Sequence, residues 1–279
     1  MTDILEHIDA RGVAVVTLNR ADRHNAFDDG VIAALAAAFA RLGADGSVRV
    51  VVLASVGRSF SAGADLDWMR RMAGYGPAEN LTDARALAEM LRLLDGLPKP
   101  TVALVQGAAF GGGVGLAACC DIVVASERAV FCLSEVKLGL TPATISPYVV
   151  RAIGARQARR YFQSAEVFSA AQAQAMGLVH ELVPPDEVAA RGEAVIAALL
   201  QGAPGAQAAA KDLVRLCEGR GVDAALIEET AQRIAARRAS DEGREGVGAF
   251  LQKREPAWRT QSKLATGGLG GAARPTQHF

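Results

Sequence analysis

The sequence predicts an α/β fold assembled from repeated β-β-α units, followed by a helical C-terminal region. Three observations carry that expectation. The stretch from Arg49 to Ala54 is a nearly unbroken Val/Leu run, the pattern of a strand covered on both faces. Short runs of this kind alternate with stretches whose apolar residues recur every three or four positions. From Asp186 onward almost everything is Ala-rich and helical in pattern.

Taken in order, residues 4–9 and 13–19 read as two strands around a turn at Arg11-Gly12. A helix over residues 29–42 places Val31, Leu35, Phe39 and Leu42 on one face. The strand at 49–54 is followed by a helical pattern over 81–94, then by a strand at 101–106 and a glycine-rich turn. A strand at 122–125 opens the next unit. Helices follow at 148–153 and 155–163, and Ser169 is placed to cap a further helix that Gly177 ends. A short strand at 179–183 stops at Pro184-Pro185. The expected division is a core over residues 1–200, a helical region over 201–258 and a flexible tail over 259–279 rich in Gly, Ser, Thr and Ala.

Composition narrows the class. With 279 residues, 51% of them hydrophobic, the chain can bury a sizeable core. Lys+Arg and Asp+Glu balance at 30 each, which gives no reason to expect a nucleic-acid partner. Cys119, Cys120, Cys132 and Cys217 lack C-x-x-C spacing, the pattern of buried thiols in a reducing compartment. The N-terminus has neither a basic n-region nor an apolar h-region, and no apolar run reaches about 18 residues. A soluble cytoplasmic protein without membrane contact is expected. His7, His24, His180 and His278 are too scattered for a metal site, and G-x-S-x-G is absent.

Two motifs point to chemistry. Ser59-Phe-Ser-Ala-Gly-Ala-Asp65, and Gly107-Ala-Ala-Phe-Gly-Gly-Gly-Val-Gly-Leu116 after the run Thr101-Val-Ala-Leu-Val-Gln106, both read as tight strand-to-helix turns. The free N–H groups of a helix's first turn carry partial positive charge. Two of them aimed at one oxygen make an oxyanion hole, which suits enolate or acyl chemistry. Glycine turns also serve merely to fit a close helix–strand contact. The second motif has neither the G-x-G-x-x-G spacing of a dinucleotide site nor a P-loop lysine.

These residues resemble the enoyl-CoA hydratase/isomerase, or crotonase, family. The resemblance runs from about Ile4 to Trp258. It rests on Leu18-Asn-Arg-Ala-Asp-Arg-His-Asn-Ala26, Phe60-Ser-Ala-Gly-Ala-Asp-Leu66, Pro98-Lys-Pro-Thr-Val-Ala103, the triple glycine, Cys120-Asp-Ile-Val-Val-Ala125, Phe131-Cys-Leu-Ser-Glu-Val136 and Ala249-Phe-Leu-Gln-Lys-Arg-Glu-Pro256. It implies a crotonase-like spiral of β-β-α units whose C-terminal helices build a homotrimer, often doubled to a hexamer. It also implies an acyl-CoA thioester substrate, with no cofactor besides the coenzyme A that the substrate carries.

The resemblance assigns the oxyanion hole to the N–H groups of Ala64 and Gly112. It sets Arg23, Ala26, Ala62, Asp65, Leu66, Ala108, Gly115 and Pro142 around the CoA thioester, with a further contact from Phe250 and Lys253. Glu135 lies in the otherwise apolar run from Val130 to Leu140, where burial should raise its carboxyl pKa. Residues alone leave open a glutamate satisfied by Lys137 or by backbone N–H groups; the match of Ser134-Glu135-Val136 to the family's catalytic segment favours the catalytic role.

Gly115 departs from the pattern, since many hydratases of the family carry a second glutamate there. The single-glutamate arrangement is shared with Δ3,Δ2-enoyl-CoA isomerases. The segment Ser134-Glu-Val-Lys-Leu-Gly-Leu-Thr-Pro-Ala-Thr-Ile-Ser-Pro-Tyr148 is similar to a bacterial branch of methylglutaconyl-CoA and isohexenylglutaconyl-CoA hydratases of leucine and terpene breakdown. The expectation is hydration of a branched or carboxylated enoyl-CoA. An isomerase, or a weakly active binder of CoA thioesters, is the alternative.

Overall fold

A computed structural model describes residues 2–259 and threads them through two sheets. Strands β1 (Ile4–Ile8) and β2 (Val13–Leu18) form an antiparallel hairpin, and helix α1 (Asp29–Ala44) follows. Asp28 caps α1 by accepting a hydrogen bond from the Val31 N–H at 3.0 Å. Val31, Leu35, Phe39 and Leu42 are all buried, as their spacing predicts. Next come β3 (Val50–Ser55), β4 (Ser59–Ser61), α2 (Leu66–Met72) and α3 (Pro77–Asp95). The following unit is β5 (Thr101–Val105), β6 (Ala108–Phe110) and α4 (Gly112–Cys119). A third consists of β7 (Ile122–Ser126), β8 (Val130–Cys132), a 3-10 turn (Glu135–Leu138) and α5 (Ser146–Ser164). The chain continues through β9 (Phe168–Ser169), α6 (Ala170–Met176), β10 (Glu181–Val183), α7 (Val188–Leu199), α8 (Pro204–Cys217), α9 (Ala224–Ala239) and α10 (Asp241–Leu251).

The repeat lies in how each unit spends its two strands. The first joins a six-stranded sheet of order β1-β2-β3-β5-β7-β10, and the second a four-stranded sheet of order β4-β6-β8-β9. Within the large sheet β2, β3, β5, β7 and β10 are parallel; within the small one β4, β6 and β8 are parallel. Val50–Leu53 is almost fully buried because one face of the large sheet packs on α1, α3 and α4, while α7 covers much of the other. Each such Val or Leu contributes roughly 1.5 to 3 kcal/mol on leaving water.

Two expectations need correction. The glycine-rich motif does not run directly from β5 into a helix: the chain first turns at Gln106-Gly107 and adds β6 to the small sheet. The last core strand begins at Glu181 rather than Val179, because the Leu178 and Val179 N–H groups both bond back to the Ala173 carbonyl at the end of α6. The helices expected at 148–153 and 155–163 are both present within α5, separated as expected at Gly154, whose φ of 75° and ψ of 153° are not helical. Of the expected tail, residues 260–279 lie outside the described residues. No described helix is long and apolar enough to cross a membrane.

Candidate active site

The small sheet gathers the chemistry. Because β4, β6 and β8 are parallel neighbours, their C-terminal ends emerge side by side and deliver three corners to one edge: residues 62–65, 111–113 and 133–135. The C-terminal edge of parallel strands is where α/β folds commonly place ligands.

At the first corner Gly63 takes a φ of 85°, a left-handed conformation that glycine adopts without strain. A loop over residues 19–28 closes on this corner. Asn25, with a positive φ of 54°, is buried; its amide donates to the Val56 and Ser59 carbonyls, and its Oδ1 accepts from the Arg20 N–H. The Ala62 N–H donates to the His24 carbonyl at 2.9 Å. Phe27 forms a parallel bridge with Ala64: its N–H donates to the Gly63 carbonyl and its carbonyl accepts from the Asp65 N–H. That pattern uses the groups on either side of Ala64, whose own N–H has no acceptor among the described residues.

At the second corner Gly111, with φ 49° and ψ −116°, turns the chain into α4. Its N–H donates to the Cys132 carbonyl at 2.8 Å, tying this corner to the end of β8. The Gly112 N–H, first in the helix, likewise has no acceptor among the described residues. The two corners are in contact, since a Cβ built on Gly63 would lie 2.9 Å from the Phe110 carbonyl oxygen and 3.8 Å from the Gly112 nitrogen.

Glu135 opens the 3-10 turn at the third corner, and its carbonyl accepts the Leu140 N–H at 3.0 Å. Its carboxyl reaches the start of α4, where a Cβ on Gly111 would fall 3.2 Å from Oε1. Oε2 is buried without a hydrogen-bond partner among the described residues, so neither Lys137 nor a backbone N–H group satisfies that oxygen. Burial raises this carboxyl above its ordinary value, opposed by a hydrogen bond to its own backbone N–H. A partly desolvated carboxyl with a free oxygen, beside two unpaired N–H groups, is suited to exchanging protons next to a carbonyl whose oxygen gains charge.

The other expected residues divide. Leu66 is exposed at the start of α2, Ala62 is exposed, and Ala108 is half-buried on β6. Ala26 and Pro142 are buried. Asp65 is committed to structure: Oδ1 caps α2 by accepting from the Asp67 and Trp68 N–H groups, and Oδ2 accepts from Arg20 and Arg23. Burial works against its ionisation, but Arg23 and the two N–H groups more than offset this and hold the carboxyl below its ordinary value. Arg23 also pairs with Asp67 at 2.9 Å. Phe250 lies exposed on α10, which packs on α8 and α9, and Lys253 follows just beyond it.

Gly115 lies buried beneath Ile145, whose Cγ2 would stand 2.3 Å from any Cβ placed there. A second glutamate at this position therefore needs Ile145 removed first, because overpacking a buried site and burying an unpaired charge are both costly. Asn25, Phe27 and Ile145 were not singled out from the sequence. Only Asn25 carried a signal, being an asparagine in a loop whose positive φ that residue type tolerates.

Two cavities, of about 690 and 590 Å3, lie elsewhere: against the large sheet near Leu5, Val15 and Val188, and between α4, α5 and α8. Neither is lined by Ala64, Gly112 or Glu135. Among the described residues no cluster of three or more His, Cys, Asp or Glu could hold a metal ion.

The family described as Enoyl-CoA hydratase/isomerase matches residues 9–261. The 2,3-dehydroadipyl-CoA hydratase of Escherichia coli (strain K12) is 34% identical over 248 residues, covering 88% of this chain and 95% of that one. The 1,2-epoxyphenylacetyl-CoA isomerase of the same strain is 34% identical over 260 residues, covering 92% and 98%. A crystal structure of an enoyl-CoA hydratase from Shewanella pealeana ATCC 700345 superposes with a TM-score of 0.89 at 44% identity, covering 92% of this chain and 96% of that one.

Proposed function

Since the chain belongs to the enoyl-CoA hydratase/isomerase family, we propose that it adds water across the double bond of a branched or carboxylated enoyl-CoA thioester, resembling 3-methylglutaconyl-CoA, with Glu135 as its single proton-handling carboxylate. The observation that carries this reading is the grouping of the buried, unpartnered Glu135 Oε2 with the unpaired N–H groups of Ala64 and Gly112 at one sheet edge. Water attacks the β-carbon, the π electrons move toward the thioester oxygen, and the two N–H groups take up the developing charge. The Glu135 carboxyl gives its proton to the α-carbon and recovers one from the attacking water, so that it ends the cycle as it began. The acyl chain supplies a carboxylate that, with Thr144, Ser146 or Tyr148 near the start of α5, holds the water that no second glutamate holds. The carboxylated acyl group in the name of the 2,3-dehydroadipyl-CoA hydratase supports this substrate class.

One observation favours a second reading. With Gly115 sealed under Ile145, Glu135 alone suffices for an isomerase that moves a proton from C2 to C4 of a 3-enoyl-CoA. Pure protein offered crotonyl-CoA, 3-methylglutaconyl-CoA and a 3-enoyl-CoA separates the two. The proposal requires fastest water addition to the glutaconyl thioester; rapid isomerisation of the 3-enoyl-CoA without hydration of any glutaconyl thioester refutes it.

The core at 1–200 and helical region at 201–258 belong to the same reading, with α8–α10 as the contact surface of a homotrimer or a doubled trimer. In support, Val214, Ile227, Ile234, Val247, Phe250 and Leu251 on these helices are all exposed.

A further inference from the structure

A single buried residue, Phe27, touches both corners that carry the free N–H groups. The main chain of Phe27 brackets Ala64 through the bonds to Gly63 and Asp65, at 2.8 and 3.0 Å. Its ring, only 2% exposed, abuts the other donor residue: a Cβ on Gly112 would meet the ring Cζ at 2.2 Å and Cε2 at 2.9 Å. The ring therefore sits against the Gly112 backbone with no room for a methyl group. The Ala64 and Gly112 donors belong to different β-β-α units and share no hydrogen bond with each other. Beside the direct contact of Gly63 with the Phe110–Gly112 backbone, Phe27 links the two corners by its backbone on one side and its ring on the other.

We infer that Phe27 is a positioning residue that sets the separation of the Ala64 and Gly112 N–H groups. An oxyanion hole works only when both donors reach one oxygen at about 2.7–3.1 Å, so a spacer between them governs turnover while leaving the binding of the remainder of the thioester largely intact. The ring is held in place because Phe27 is buried within the main hydrophobic core, where side chains are close-packed. This inference rests on the oxyanion assignment proposed above.

The test is a double-mutant cycle on Phe27→Leu and Gly112→Ala, with Phe27→Met as a second, flexible replacement that fills more of the site. All are assayed with whichever enoyl thioester the wild type turns over fastest, so an error in the acyl group leaves the test intact. Each single variant should lower kcat about 10- to 100-fold with KM changed less than about threefold, because donors misplaced by a fraction of an ångström lose transition-state contact before ground-state binding. In the double variant the alanine methyl takes the space that the ring vacates, and kcat should lie well above the product of the two single effects. Strictly multiplicative effects, or wild-type kcat in a folded Phe27→Leu or Phe27→Met protein, overturn the inference. If Ala64→Pro is inactive while the cycle is multiplicative, the oxyanion assignment survives and only the role of Phe27 falls.

Discussion

Glu135→Gln is expected to lower turnover roughly 10²- to 10⁴-fold, the range that a positioned general acid–base supplies, and to stop exchange of the α-proton in heavy water. The amide keeps the shape and the burial but cannot cycle a proton. No second carboxylate can substitute from position 115, because Ile145 occupies that space. The same substitution should alter stability in the opposite sense. Burial raises the Glu135 carboxyl, so the folded state holds this proton more tightly than the unfolded state does. Stability is then lost as pH rises from the ordinary carboxyl value through the raised folded one, and the glutamine variant escapes that loss. Its melting temperature should exceed that of the wild type near pH 8, the difference closing below about pH 4 as both states become protonated. Retained exchange in a well-folded variant contradicts the catalytic role, and an unchanged melting difference across that range contradicts the desolvation account.

Ala64→Pro is expected to reduce kcat about a hundredfold or more, the cost of losing one oxyanion donor, with less effect on the affinity for coenzyme A. The structure makes this substitution clean in one respect: the Ala64 N–H serves no hydrogen bond of the fold, since Phe27 pairs with Gly63 and Asp65 instead. Loss of turnover with a retained melting temperature therefore reads out the donor itself. Steady-state kinetics beside a thermal melt settle the point, and wild-type turnover rules out Ala64 as a donor.

Much of the fold was legible because it obeys local rules. Val31, Leu35, Phe39 and Leu42 are spaced for a helix face and are buried on one. Ser169 caps α6 and Gly177 ends it in a left-handed conformation, as serine and glycine at those places predict. The small sheet was not legible: β4, β6 and β8 have three residues each, too few for any period to show. Its consequence, the three parallel corners side by side, is what gives the site its shape.

The identities of Ala64, Gly112 and Glu135 came from motif resemblance, and the structure brings their segments together. What local sequence does not carry is contact between distant segments. Nothing near Phe27 reveals that its ring meets Gly112, and nothing near Gly115 reveals Ile145 thirty residues on. Nor does the sequence around Asp65 reveal that its carboxylate accepts from two arginines and caps a helix.

The most direct test of the account is a crystal structure of the Glu135→Gln protein with an enoyl-CoA thioester bound. The account predicts the thioester oxygen within hydrogen-bonding distance, about 2.7–3.2 Å, of both the Ala64 and Gly112 nitrogens, with the α-carbon facing the residue 135 side chain. A thioester oxygen bonded elsewhere, or an α-carbon facing a different carboxylate, contradicts it.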